Sequence, residues 1–257
     1  MTAAEYSDRF DMMRVATRTF QIIGRNALVF GALALLLYGL PHLGADIIEE
    51  TTDHLPGYMQ GLFWGSGLIY ALISLAGLAA LHGAIVHGSV ADLNGYRATL
   101  MECLTTGLRV FLPVAGVVVL LTIGVVLGLI ALIVPGLVLL TTWLVAIPAA
   151  VVEKTGVTNA FARSVALTRG YRWQIFGLVA IFCIVAGVVS GIFESAEDVA
   201  HHALNIGILP FEPISVMDDL IETIVALVAS VGAFVVYYEL RSVKEDAGPG
   251  ELTTALD

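Results

Sequence analysis

The chain has 257 residues, of which 58% are hydrophobic and 13% are charged, and its formal net charge is −10. Soluble domains carry about 25% charged residues, so this composition indicates an integral membrane protein. The acidic balance argues against a nucleic-acid partner, because such proteins present basic surfaces. The two cysteines, Cys103 and Cys183, fall in different settings and predict no disulfide framework.

The first predicted element is an amphipathic helix within residues 1–25. Its apolar stripe recurs at three- and four-residue steps, which is the spacing of one helical face, and consists of Phe10, Met13, Thr17, Phe20 and Ile23. A helix with this pattern lies in the headgroup plane of a membrane. The apolar run that follows is not a secretory signal, because its long N-terminal flank mixes acids with bases and no small-residue cleavage site follows it.

Six apolar segments then follow, at 26–43, 61–86, 110–134, 136–152, 174–193 and 219–240. A helical span needs about 17–25 residues to cross a bilayer. We therefore predict an all-α, polytopic bundle of six transmembrane helices in three hairpins over residues 26–240, with in-plane amphipathic helices. The whole chain, 1–257, is one integral membrane domain that ends in a polar tail at 241–257. A tight turn is expected at 134–136 and a kink at Pro148.

The cations predict the orientation of this bundle. All twelve lysines and arginines fall within 1–25, 87–109, 153–173 and 241–257, whereas the loops at 41–60 and 194–218 carry acids and no cation. Because lysine and arginine stay on the cytoplasmic side, both termini are expected there.

A Gly–Arg element recurs three times where a polar stretch enters a membrane helix, and each is expected to bend the chain at its glycine. The elements are Gly24 with Arg25, Gly107 with Arg109, and Gly170 with Arg172. Basic side chains at such positions extend toward lipid phosphates. The arginines predicted to contact anionic headgroups are Arg14, Arg18, Arg25, Arg97, Arg109, Arg163, Arg169 and Arg172.

Three GxxxG pairs within the spans predict close helix packing. They are Gly61 with Gly65, Gly124 with Gly128, and Gly187 with Gly191. Packing inside the bundle and packing between two copies of the chain both remain open.

One acidic and histidine-rich stretch has the spacing of a single broad helical face: Glu194, Glu197, Asp198, His201 and His202. Such a mixture suits Zn²⁺ or Mn²⁺. The alternative is a solvated polar face without a metal, and no fixed metalloenzyme motif is present. We therefore assign no cofactor.

Residues 87–113, 156–178 and 237–257, together with IGRNALVF near the start, resemble the uncharacterised six-span bacterial proteins grouped with YciC. They also resemble the membrane domain of glycerophosphoryl diester phosphodiesterases. The resemblance implies a bacterial inner (cytoplasmic) membrane protein. It does not imply phosphodiesterase activity, which in the fused proteins resides in a separate soluble barrel.

The leading functional hypothesis is a non-catalytic scaffold, accessory subunit or lipid-organising protein, whose partners are anionic lipids and a membrane protein or a second copy. No Asp, Glu, Lys or Arg lies near the middle of any apolar segment, and coupled carriers usually need such groups there. Two alternatives stay open: a transporter or channel-like permease, and a membrane enzyme that acts on lipids or glycerophosphodiesters through a metal site.

Overall fold

The computed structural model describes the backbone of residues 10–44, 57–204 and 215–245, and the side chains of 10–44, 69–193, 195 and 216–245. Every regular element in these residues is a helix. Within the described residues, six spans are long and apolar enough to cross a membrane: Ala27–Gly44, Ile69–Leu93, Phe111–Ala131, Ile133–Glu153, Arg172–Phe193 and Val216–Glu245. They confirm the predicted all-α, six-helix membrane bundle.

The α-helices of the described residues are α1 (Met12–Arg25), α2 (Ala27–Ala34), α3 (Gly57–Leu93), α4 (Leu100–Arg109), α5 (Phe111–Ala131), α6 (Ile133–Trp143), α7 (Ala146–Glu153), α8 (Val157–Thr168), α9 (Arg172–Leu204) and α10 (Ser215–Glu245). A short π-helix, Leu35–Gly39, follows α2 within the first span. The span at 133–153 consists of two helices, α6 and α7.

Helix α1 packs against α10, but of the predicted stripe only Phe10 is buried. Val15, Thr19 and Ile22 are buried, whereas Met13 is 73% exposed and Phe20 is 63% exposed. Residues 15, 19 and 22 follow the same three- and four-residue steps as residues 13, 17 and 20. The two sets lie on nearly opposite sides of the helix and both match the helical spacing, so spacing alone could not distinguish them.

The structure differs at the three predicted glycine bends, and only one of them is a bend at the glycine. Only Gly170 bends the chain through a positive φ, +95°, which glycine adopts without strain. The first bend lies at Asn26, whose side-chain amide donates to the Ile22 carbonyl at 3.0 Å. Gly107 lies inside α4, where an added Cβ would come within 2.7 Å of the Ala80 carbonyl oxygen. That glycine allows α4 to pack closely on α3.

Proline explains the π-helix in the first span. Pro41 has no N–H to donate to the Leu37 carbonyl, so the regular hydrogen-bond pattern fails just before it. The freed carbonyl oxygen of Leu37 faces Gly77 of α3, in the space that a Cβ there would occupy. The same segment contacts α10, where an added Cβ on Gly39 would lie 2.9 Å from the Thr223 hydroxyl. The irregular turn thus fixes the first span against two others.

The turn between the third and fourth spans lies slightly before its predicted place. Leu132 is extended, with φ −167° and ψ 144°, and α6 begins at the next residue. Pro135 and Gly136, expected to form the turn, instead lie in the first helical turn, where proline is tolerated because its N–H has no helical partner. There Gly136 packs against Gly128.

The predicted kink at Pro148 is confirmed as a break between α6 and α7. The break lies at 144–145, because the proline ring clashes with the carbonyl four residues earlier. The Thr142 carbonyl at the end of α6 accepts hydrogen bonds from Ser164 at 2.7 Å and Thr168 at 3.4 Å. Helix α8 therefore satisfies the carbonyl that the break leaves open. Helix α7, after the break, is buried along Ala146–Val152.

Candidate functional site

The structure brings the cations of four chain segments to one end of the bundle. Ion pairs and hydrogen bonds there join α1 to α3 and α10, and α8 to α7 and α10. The described residues of this end, which we call the basic end (10–26, 92–110, 153–172 and 237–245), contain eleven lysines and arginines against six acids. The cations thus cluster as predicted, whereas the side of the membrane on which they lie stays a prediction.

Helix α1 is held to α10 by a buried carboxylate. Asp11 caps α1 by accepting a hydrogen bond from the Met13 N–H at 2.9 Å. One turn later, Arg14 and Arg18 reach Glu239 of α10 at 2.9 and 3.5 Å. The Glu239 side chain is only 3% exposed, so removing its partners would leave a buried charge unpaired, which is costly.

Arg18 also lies over an aromatic ring of α10. Its guanidinium carbon is 5.0 Å from the Tyr238 ring centroid, within the range of a cation–π interaction. This contact and the ion pair to Glu239 assign Arg18 a structural role in fixing α1.

A second ion pair fixes the junction between α1 and α2. Arg25 lies 2.8 Å from one oxygen of Asp92, near the end of α3. The Asn26 amide donates to the other oxygen of Asp92 at 3.0 Å. One carboxylate therefore anchors both residues of the bend.

A third network ties α8 to α7 and α10. Arg163 of α8 contacts Glu153 at 2.7 Å and Glu245 at 2.5 Å. The Tyr237 hydroxyl donates to Glu153 at 2.9 Å, and Arg241 contacts Glu245 at 3.2 Å. Both carboxylates thus have cationic partners, and the positive charge of Arg163 is compensated.

The eight arginines predicted to contact headgroups therefore divide into two sets. Arg14, Arg18, Arg25 and Arg163 are ion-paired within the bundle. The others are exposed and form no ion pair within the described part of the chain: Arg97, Arg109, Arg169 and Arg172. Only the second set offers an uncommitted charge to an external anion.

Exposed apolar side chains stand where three of the spans begin at the basic end. Leu28 is 90% exposed, Leu112 is 82% exposed and Trp173 is 84% exposed. Tryptophan is enriched where a membrane meets water. The basic end thus combines uncompensated cations with side chains suited to the bilayer interface.

Helix α4 begins with a capping box at the basic end. The Glu102 carboxylate accepts a hydrogen bond from the Thr99 N–H at 2.8 Å, and the Thr99 hydroxyl accepts one from the Glu102 N–H at 3.3 Å. The bonds from Thr99 lower the pKa of Glu102. The stability they contribute is therefore present at neutral pH and is lost as the pH falls through the folded-state pKa.

The residues of the predicted metal cluster lie on a helix, as their spacing indicated, because α9 continues to Leu204. The side chains of Glu194, Glu197, Asp198, His201 and His202 fall outside the described residues, so metal binding stays a prediction. Within the described side chains, no group of three histidine, cysteine or acidic residues is placed to hold a metal ion.

The glycine pairs have different surroundings. A Cβ on Gly124 would clash with the Trp143 ring, and one on Gly128 would lie 2.9 Å from the Gly136 Cα, so this pair packs α5 against α6. Gly187 and Gly191 have no neighbour within 4 Å of an added Cβ, among the described residues. The backbone at Gly61 and Gly65 is helical, while the surroundings of this pair lie outside the described side chains.

Sequence reasoning missed the acids that hold the basic end together: Asp92, Glu153 and Glu239. The sequence did contain a signal for these ion pairs. Each acid lies within a turn or two of the end of an apolar span and close to cations in sequence. The arginines that these acids meet were predicted to contact lipid headgroups, because periodicity does not show which carboxylate each cation meets: Arg14, Arg18, Arg25 and Arg163.

Comparison of the chain with protein-family models, with curated proteins and with solved structures finds no match. The resemblance to the YciC group therefore stays a prediction.

Proposed function

We propose that the chain is a non-catalytic membrane protein that organises anionic lipids at its basic end, as a scaffold or accessory subunit. One observation carries the proposal. Internal acids pair with four of the eight predicted headgroup arginines, and the other four are exposed without an ion pair in the described residues. Each basic residue near an anionic leaflet adds about 1 kcal/mol of attraction.

The position of the arginines supports this function. Two of the four, Arg109 and Arg172, stand where helices enter the apolar spans, close in sequence to the exposed side chains of Leu112 and Trp173. A lipid headgroup at this level would contact the cations, while its acyl chains would contact the span surfaces. The proposal needs no reacting group and no cofactor.

We also propose a bacterial inner-membrane location with both termini in the cytoplasm, because positive charge is retained on that side. Arg97→Cys, in a variant that lacks the native cysteines, provides a test with a membrane-impermeant maleimide. Labelling is expected only after the cells are broken. Labelling in intact spheroplasts would place the basic end outside and overturn the orientation.

Stability in nanodiscs of defined lipid tests the lipid function. Thermal unfolding of the full chain is compared in phosphatidylcholine alone and in phosphatidylcholine mixed with phosphatidylglycerol. We expect a higher unfolding temperature with the anionic lipid, and a smaller difference at high salt because salt screens exposed charges. Equal unfolding temperatures in both lipids at low salt would contradict the proposal.

A further inference from the structure

The turn between α8 and α9 concentrates positive charge. Arg169 and Arg172 flank it, and both side chains are exposed. Gly170 reverses the chain with φ +95°, and the Tyr171 N–H closes the turn by donating to the Thr168 carbonyl at 3.1 Å. The two guanidinium groups therefore extend from one short, hydrogen-bonded turn.

A third cation reaches the same turn from α10. The Lys244 ammonium donates to the carbonyls of Ala166 and Arg169, each at 2.7 Å. It also lies 5.9 Å from the centroid of the Tyr171 ring. An ammonium has three N–H donors, so two are committed to the protein and one is left for a ligand.

The acids nearest this turn are already engaged. Glu153 and Glu245 contact Arg163, and Glu245 also contacts Arg241. Arg169, Arg172 and Lys244 form no ion pair with any described residue. The turn therefore keeps the charge of three cations, whereas Arg14 and Arg18, equally close in sequence, share the carboxylate of Glu239.

The next residue along the chain indicates which anion fits. Trp173 follows Arg172 directly, is 84% exposed, and stands at the beginning of the span Arg172–Phe193. An exposed indole at this point belongs at the boundary between headgroups and hydrocarbon. A ligand held by the three cations would lie at the same level.

We propose that the α8–α9 turn is a binding site for the phosphate of an anionic phospholipid. The site deepens the proposed function and rests on it, by naming where the headgroup binds. Each guanidinium can donate two parallel hydrogen bonds to phosphate oxygens, and Lys244 adds a point charge with its remaining donor. The acyl chains of the same lipid lie along the exposed surface of α9.

Two double variants of the full chain separate a site from a diffuse basic belt. Arg169→Gln with Arg172→Gln removes two cations from the turn, and Arg97→Gln with Arg109→Gln removes two equally exposed cations elsewhere on the basic end. Native mass spectrometry in mild detergent measures bound phosphatidylglycerol after extraction from mixed nanodiscs. All four side chains are exposed, so both proteins should fold, which size-exclusion chromatography checks.

We expect the turn variant to bind phosphatidylglycerol about thirtyfold more weakly, from about 1 kcal/mol for each basic residue. The control variant should lose clearly less, because Arg97 and Arg109 attract the leaflet as a whole and do not contact the lipid held at the turn. Equal losses in the two variants, or no loss in the turn variant, would overturn the site. If wild type shows no preference for anionic lipid, the proposed function fails as well. Equal losses beside a clear wild-type preference overturn only the site.

Inorganic phosphate, added to the detergent-solubilised protein, tests the source of the phosphate. We expect millimolar inorganic phosphate to leave phosphatidylglycerol bound, because the lipid also contacts Trp173 and α9. Displacement of the lipid at that concentration would show that the turn binds the phosphate group alone, and would overturn the assignment to a lipid.

Discussion

The last two spans are both apolar enough to cross a membrane but have different surroundings. In α10, 56% of the apolar window is buried inside the bundle, against 6% in the span that α9 contributes. Helix α10 contacts α1, α2, α3, α7, α8, α9 and the π-helix, whereas α9 contacts α1, α6 and α10. Hydropathy therefore identifies a span without showing whether protein or lipid surrounds it.

The comparison extends to the charged residues. Helix α10 carries Glu239, Arg241 and Glu245, and all three form ion pairs within the bundle. Helix α9 begins with Arg172 and Trp173, which are both exposed. Arg172 forms no ion pair with any described residue. We conclude that α10 holds the protein together and that the start of α9 is available to the membrane.

The largest expected effect is Phe234→Ala in α10, where the side chain is fully buried. Lipid is as apolar as this core, so the cost comes mainly from the cavity left behind. We expect a loss of about 3 kcal/mol in the free energy of unfolding, the lower end of the range for Phe→Ala, measured by thermal or denaturant unfolding in nanodiscs. Ile184→Ala in α9, where the side chain is 66% exposed, should change stability by less than about 0.5 kcal/mol. Equal effects would contradict the contrast between the helices.

The glycine pairs provide a second test of the difference between packed and exposed helix faces. Gly124→Ala places a methyl group against the Trp143 ring and should destabilise the bundle by about 1–3 kcal/mol. Gly187→Ala meets no described neighbour and should be neutral or slightly stabilising, because alanine favours a helix more than glycine does. Unfolding in nanodiscs measures both. A large loss for Gly187→Ala would show that this face of α9 packs against another chain.

A smaller effect is expected for Tyr237→Phe, which removes the hydroxyl that donates to Glu153 at 2.9 Å. Glu153 keeps Arg163 as a partner, and Arg241, which donates to the same hydroxyl at 3.3 Å, keeps Glu245. The loss should therefore be about 1.5 kcal/mol, the lower end of the range for a hydrogen bond to a charged group. Tyr96→Phe is the control, because Tyr96 is 48% exposed and should show no change. A loss well above the predicted one would mean that the hydroxyl supports more of the network than these contacts show.

The smallest perturbation replaces only Cys183, with serine. Cys103 is then the single cysteine that a labelling reagent can modify. Burial raises the pKa of the Cys103 thiol to about 11, so little thiolate forms at pH 8. Alkylation of the folded protein should be slow there and should accelerate as the pH approaches 11, unless the fold opens first. Thr105→Cys in a chain lacking both native cysteines places an exposed thiol on the same helix and should react readily. Equal rates for the two thiols would contradict the burial of Cys103.

The sequence predicted the parts of the fold that bilayer solvation alone decides. The six spans and the clustering of cations follow from hydrocarbon rejecting charge, and the break before Pro148 follows from a missing N–H. The face of α1 that meets α10 was not predictable, because residues 13, 17 and 20 repeat at the same steps as residues 15, 19 and 22.

The arginines show the same limit within the candidate site. Arg14 and Arg172 occupy similar sequence settings, at the polar approach to an apolar helix. Only the docking of α10 distinguishes them, since it brings Glu239 beside Arg14. An interaction over more than two hundred residues leaves no local pattern in the sequence.

The position of α10 in the chain has a consequence for assembly in the membrane. Among the described spans it leaves the ribosome last, yet α7 and α8 both pack on it. During synthesis the earlier helices must wait in the bilayer with Arg14 and Arg18 lacking Glu239 and with Arg163 lacking Glu245. Until α10 arrives, these charged groups must stay hydrated or be shielded by an insertion factor. A ribosome stalled before residue 215 should therefore leave a nascent chain that proteases cut within α1 and α8.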